Sequence, residues 1–282
     1  MSAAMRCYRH PDRETYVSCS ECGRPICPEC MTPAPVGQRC PEHSGKPLGV
    51  RRVTAGARRS AYEGTGAIVT KSLVAINVLV YLAELAQGSG VNANSGSIFE
   101  HGALFGPAVA QGDWWRLLTS AFLHYGPLHL GMNMLALWWF GSVLEEFLGR
   151  GRFLLVYLVS GLAGSAGALI DQPTAVTVGA SGAIFGILGA MLILEYQRTG
   201  TLLGNAFILI AVNLAFTFSV PNIAVGGHLG GLAGGLVSIL VLSRFGRGHA
   251  VYGRVGLTGV AGVVLVGAIS VVLAYWRVRG YA

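Results

Sequence analysis

Apolar residues gather along this chain into seven runs, over 70–87, 128–147, 152–171, 178–196, 202–220, 224–243 and 254–276, with short polar or glycine-rich breaks between them. Runs of roughly 20 residues suffice for an α-helix to cross the hydrocarbon core of a bilayer. The pattern therefore predicts an all-α polytopic membrane protein with seven spans. Several spans are thinned by glycine, which membrane helices use to approach one another closely. Residues 1–60 are different: polar, cysteine-rich, and without the apolar core of a cleavable signal peptide.

Composition agrees. The chain has 282 residues, 52% hydrophobic and only 12% charged, against roughly 25% charged in ordinary soluble domains. Its net charge of +7 comes mostly from arginines dispersed in the N-terminal segment and at helix ends, so nucleic-acid binding is not expected. Positive residues instead set orientation. Arg51, Arg52, Arg58 and Arg59 precede span one; Arg150 and Arg152 lie between spans two and three. Arg198 follows span four, and Arg244, Arg247 and Arg254 lie between spans six and seven. The alternate loops are nearly free of them, with Arg116 the main exception and Arg277 and Arg279 a minor conflict. A cytoplasmic N-terminus follows, in a multi-pass protein of the cell membrane. Spans two, four and six then all start on the external side. His129, Asn133, Ser181 and His228, each near the start of one of these spans, come to a similar depth just below the outer surface.

All six cysteines fall between Cys7 and Cys40. With two histidines they form four pairs, each with two intervening residues: Cys7 and His10, Cys19 and Cys22, Cys27 and Cys30, Cys40 and His43. Eight such ligands accommodate two tetrahedral zinc ions. A segment this short cannot build an adequate apolar core, so metal would supply its folding energy. Disulfides are the competing reading, opposed by the paired knuckles and by the reducing cytoplasm. The expected organisation is a zinc-binding domain over 1–45, a basic flexible linker over 46–69, a six-helix core over 70–245, and a further helix over 254–276.

A serine and a histidine on separate membrane helices are the minimum parts for nucleophilic hydrolysis. Ser181 lies in Gly179-Ala-Ser-Gly-Ala-Ile-Phe-Gly186, and His228 in Gly226-Gly-His-Leu-Gly-Gly231. A lone intramembrane serine is ordinarily a packing residue, whereas a histidine is costly to bury and so points to function. Gly182, Gly186 and Ala190 on span four, and Gly227, Gly231 and Gly235 on span six, form small-residue faces that would let the two helices touch. No carboxylate lies in the outer halves of these spans, which predicts a Ser–His dyad with the imidazole oriented by packing. Phe185, four residues after Ser181 and on the same face, can stack on His228. His129 and Asn133, at i and i+4, offer an imidazole and an amide as oxyanion donors beside the backbone N–H groups at the start of span four. His124 reads as a loop or site-edge residue, Asn213 as an interhelical hydrogen-bonder, and His101 and His249 as solvated.

These residues in this order resemble the rhomboid intramembrane serine proteases: Trp115-Arg116, His124, His129-x3-Asn133, Gly179-Ala-Ser-Gly182 and Gly227-His-Leu-Gly-Gly231. The resemblance covers roughly residues 70–245, with span seven like the extra helix of some members. It implies Ser181 as nucleophile, His228 as general base, and His129 and Asn133 as oxyanion stabilisers. Gly179 and Gly182 flank the serine, and Phe185 stands where relatives often carry tyrosine. It also implies cleavage of transmembrane protein substrates near the outer ends of their spans, with no cofactor in the chemistry. The cysteine spacing resembles B-box-type cross-braced zinc fingers. That likeness implies one zinc on Cys7, His10, Cys27 and Cys30 and another on Cys19, Cys22, Cys40 and His43. The finger is expected to dock a cytoplasmic protein partner or to regulate, away from a site on the external side.

Two rivals remain at this point. One is a catalytically inactive rhomboid-like protein that binds transmembrane clients, although such relatives generally lack the serine or histidine. The other is a channel or transporter, which would need charged residues near mid-membrane, where Glu84 is the one acidic candidate.

Overall fold

The computed structural model describes residues 5–33, 37–43, 66–88, 91, 95–220, 223–245 and 257–282. The chain divides into two compact units, Met1–Glu63 and Gly64–Ala282. Most of the expected linker, together with Arg247, His249 and Arg254, lies outside the described residues.

The first unit is built from β1 (Met5–Arg6) paired antiparallel with β2 (Glu14–Thr15), and β3 (Thr32–Pro33) paired antiparallel with β4 (Gln38–Arg39). Strands of two residues carry little stability. The buried interior holds five of the cysteines and Ile26, with Cys22 exposed. Ile26 is anchored by its carbonyl, which accepts the Thr15 hydroxyl at 2.7 Å. Ion pairs such as Arg13–Glu29 and Arg24–Glu42 lie on the surface, where such pairs contribute little.

In the second unit, α1 is Ile68–Ala86; α2 is Gly126–Ala136, prolonged by a π-helical turn Leu137–Gly141 and by Ser142–Leu148. α3 is Arg150–Asp171, α4 Ser181–Thr199, α5 Asn205–Ser219, α6 Val225–Phe245 and α7 Leu257–Val278. Each apolar run of the sequence thus carries a helix. Among the described residues four are individually long and apolar enough to cross a membrane: α1, α3, α6 and α7. The remaining three miss that standard for separate physical reasons. The π turn interrupts α2, Glu195 and Arg198 polarise the end of α4, and α5 has 15 residues.

Leucine, valine and tryptophan side chains stand exposed around the bundle, among them Leu79, Leu128, Trp139, Val212 and Val272. That surface suits lipid rather than water. Inside, α3, α4 and α6 pack backbone to backbone through glycine. A methyl on Gly231 would collide with the carbonyl oxygen of Gly182, and one on Gly235 with that of Gly186. Because lipid offers no hydrophobic driving force for helix association, such close packing is what holds membrane helices together.

Two polar contacts, one buried and one exposed, position the helix ends. The Glu145 carboxyl accepts the N–H groups of Val69 at 3.0 Å and Thr70 at 2.7 Å, and the Thr70 hydroxyl at 2.8 Å. It thereby caps the start of α1 from α2. Asp171, at the end of α3, accepts the N–H of Gly226 at 3.1 Å, placing a carboxylate where the α6 dipole favours one.

The segment before α2 is folded around Arg116. Its guanidinium is buried, donating to the carbonyls of Glu100 at 2.7 Å and Ala103 at 2.8 Å and pairing with Asp113 at 2.9 Å. The main exception to the alternating charge pattern of the loops is therefore an internal brace. Next to it the Trp115 ring N–H donates to the His101 carbonyl at 3.0 Å.

Candidate active site and metal clusters

Ser181 is the first residue of α4, so its hydroxyl stands among the opening N–H groups of a helix, which have no intrahelical acceptors. His228 lies in the first turn of α6. The glycine contacts of these two helices bring Ser181 Oγ and His228 Nε2 to 2.9 Å. Phe185 lies one turn below Ser181 and stacks on the imidazole, ring centroids 4.3 Å apart and planes 20° apart.

The other ring nitrogen also has a partner. His228 Nδ1 is 2.7 Å from the hydroxyl oxygen of Thr217 on α5. That hydroxyl in turn donates to the carbonyl of Asn213 at 2.8 Å. Packing alone does not orient the imidazole, as the sequence had suggested. Thr217 was missed because a threonine bonded one turn back along its own helix is an ordinary feature of membrane helices. Asn213 likewise differs from expectation: its amide donates to the Leu209 carbonyl of its own helix at 2.8 Å.

His129 and Asn133 occupy adjacent turns of α2. The Tyr125 backbone N–H donates to His129 Nδ1 at 3.2 Å, so the imidazole proton resides on Nε2. Asn133 uses one amide proton on the His129 carbonyl at 2.9 Å, leaving its second N–H available. Between them lies Gly179, with φ +121° and its N–H on the Ser120 carbonyl at 2.9 Å. Gly182 lies against Gly164 and Gly227, where α3, α4 and α6 meet. His129, Asn133, Gly179, Ser181, Gly182, Phe185 and His228 all line a single cavity of 490 Å³. His124 is buried beside it, its ring 5.1 Å from that of His129; His101 is exposed.

In the first unit the eight ligand candidates assemble into two groups, Cys7, His10, Cys27 and Cys30, and Cys19, Cys22, Cys40 and His43. Within each group all donor atoms lie within 4.8 Å of one another. The separations include Cys27 Sγ to His10 Nδ1 at 3.3 Å, Cys30 Sγ to His10 Nδ1 at 3.4 Å and Cys22 Sγ to Cys40 Sγ at 3.8 Å. A tetrahedral ion with bonds of about 2.0–2.3 Å has ligand atoms about 3.3–3.8 Å apart, so both groups fit such an ion. Burial works to raise the thiols of Cys7 and Cys19, but backbone N–H donors outweigh it and hold each down at about 6. Burial, with the neighbouring Cys7 and Cys27, instead pushes Cys30 up to about 11. Each cluster thus holds one thiol that readily loses its proton, which favours a cation, because metal binding requires deprotonated sulfur.

The sequence of this chain is similar to those of known proteins. The rhomboid domain profile covers residues 111–245. The rhomboid protease GluP of Bacillus subtilis is 40% identical over 177 residues, which are 61% of this chain and 34% of that protein. YdcA, a rhomboid relative from the same bacterium, is 41% identical over 143 residues, 48% of this chain and 71% of YdcA. Rhomboid-like protease 3 of Toxoplasma gondii is 30% identical over 187 residues, 62% of this chain and 70% of that protein. The chain belongs to the rhomboid family, whose domain here forms part of a membrane protein. It spans about a third of the length of GluP.

Proposed function

We propose that this protein is an intramembrane serine endopeptidase that hydrolyses peptide bonds in or near transmembrane segments of membrane-protein substrates. The observation that carries the reading is the 2.9 Å separation of Ser181 Oγ and His228 Nε2 in the wall of a cavity that His129 and Asn133 also line. Relatives named as rhomboid proteases support it.

In this reading Ser181 Oγ attacks the scissile carbonyl carbon while its proton passes to His228 Nε2. The carbonyl oxygen becomes an oxyanion, stabilised by the His129 Nε2–H, the free Asn133 amide N–H and the Ser181 backbone N–H. The intermediate collapses as the C–N bond breaks, and His228 returns the proton to the leaving amine. Water then attacks the acyl–Ser181 ester, gives its proton to His228, and the serine leaves with that proton. Gly179 keeps the oxyanion space open, Gly182 lets α4 sit against α6, and Phe185 holds the imidazole plane. No cofactor enters these steps.

The N-terminal groups are read as two structural zinc sites, of Cys3His type and with no ligand position left for catalysis. The domains are read as 1–45, 46–69, 70–245 and 254–276. Charge asymmetry of the loops supports a plasma-membrane protein with a cytoplasmic N-terminus and the Ser181 end of α4 toward the outside. The zinc domain is read as a docking or regulatory module for a cytoplasmic protein.

The test is cleavage of a defined transmembrane substrate by the purified full-length protein in liposomes. Wild type should cut it and Ser181→Ala should not. Cleavage retained in Ser181→Ala would overturn the reading.

A further inference from the structure

We infer that Thr217 is a positioning residue for His228, holding the imidazole in the tautomer and in-plane rotation that make it a base toward Ser181. The inference rests on the dyad reading above and deepens it.

The argument is one of proton counting. A threonine hydroxyl has one proton and two lone pairs, and a neutral imidazole has one N–H and one bare nitrogen. Thr217 Oγ1 lies 2.8 Å from the Asn213 carbonyl oxygen, which cannot donate, so the hydroxyl proton belongs in that contact. A lone pair of Oγ1 then faces His228 Nδ1 at 2.7 Å, and the proton of that bond must sit on Nδ1. Nε2 is left bare, and it is the nitrogen 2.9 Å from Ser181 Oγ. In the opposite arrangement Thr217 donates to Nδ1. Two oxygen lone pairs then meet at 2.8 Å, and an N–H on Nε2 leaves the serine proton nowhere to go. Only the first arrangement satisfies every group and leaves an acceptor for Ser181.

The geometry divides the orienting work. Stacking on Phe185, with planes 20° apart, fixes the tilt of the ring but permits it to turn within its plane. The Thr217 bond stops that turning. Thr217 and His228 are both buried, and a carboxylate in place of the hydroxyl would have to be desolvated there at considerable cost. A neutral acceptor fixed by its own helix avoids that cost. It also ties the competence of the base to the position of α5, whose carbonyl at Asn213 anchors the relay.

The test compares Thr217→Val, which keeps the shape and removes the acceptor, with Thr217→Ser, which keeps it. Full-length protein in liposomes is assayed on a defined transmembrane substrate. His228 tautomers are read from imidazole 15N shifts of the 15N-histidine-labelled protein, with thermal unfolding confirming the fold of each variant. Thr217→Val should lower kcat about tenfold, the loss of one hydrogen bond to a catalytic group, with KM little changed. Thr217→Ser should restore most of the rate. Wild type should show the proton on Nδ1, and folded Thr217→Val a mixture of tautomers. An unchanged tautomer in Thr217→Val, or kcat equal to wild type, overturns this inference and leaves the dyad reading standing. If wild-type protein fails to cleave any transmembrane substrate, the dyad reading fails, while the tautomer comparison still decides the role of Thr217.

Discussion

A methyl group on Gly179 would lie 2.7 Å from Cε1 and 2.8 Å from Nε2 of His129. No side chain fits between the start of α4 and the imidazole, and the φ of +121° is itself unfavourable for any residue with a Cβ. Gly179→Ala is therefore expected to push the His129 ring out of the cavity and to strain the backbone by about 1–3 kcal/mol. Thermal unfolding should shift down, and activity per folded molecule should fall at least about tenfold if an oxyanion donor is misplaced. A variant with unchanged stability and unchanged kcat would show that His129 does not face the reacting oxygen.

Glu145 and Thr70 are 75 residues apart in sequence and joined at 2.7 Å. Glu145→Gln puts an N–H2 against a backbone N–H that formerly had an acceptor, at a buried position. The expected loss is about 1–3 kcal/mol of stability, read as a lower unfolding temperature in micelles. Because Glu145 touches α1 rather than the cavity, kcat per folded molecule should stay near wild type.

Much of this molecule was legible in its sequence, for identifiable reasons. Helices in lipid must satisfy their own backbone hydrogen bonds, so an apolar run of the right length admits one conformation, and each run carries a helix. Neighbours on one helix face, His129 with Asn133 and Ser181 with Phe185, follow from the 3.6-residue period. The Cys-x-x-Cys and Cys-x-x-His pairs announce themselves because few other arrangements use that spacing. What escaped were contacts made across helices by residues with ordinary local roles. Thr217 bonds back to Asn213 as any membrane threonine does, and only the fold brings His228 to its other side. Nothing in the sequence singled out Glu145, and Arg116 stood there only as an exception to loop charge. Both are buried hubs that bond chiefly to backbone groups, and backbone groups leave no mark in sequence.

The two Cys/His groups of the first unit are expected to hold about two zinc ions per chain in protein purified without chelator. Elemental analysis checks this, and Cys27→Ser and Cys40→Ser should each reduce the content by about one ion, since the two residues serve different groups. Equal loss of both ions from either substitution would point to a single coupled cluster instead.

Ser181, His228, His129, Asn133 and Thr217 all belong to the second compact unit. Deleting residues 1–45 should accordingly leave cleavage in liposomes within about twofold of the full chain, since no residue assigned to the reaction is removed. A folded but inactive deletion would mean that the N-terminal domain takes part in forming the site.

The most direct measurement of the central claim, that His228 activates Ser181 as a nucleophile within the bundle, is the site of covalent attack on a fluorophosphonate. Full-length protein in liposomes is treated with the reagent, digested and mapped by mass spectrometry. The account predicts a phosphonyl adduct on Ser181 in wild type and its loss in folded His228→Ala. An adduct on another residue, or Ser181 labelling undiminished in His228→Ala, would contradict it.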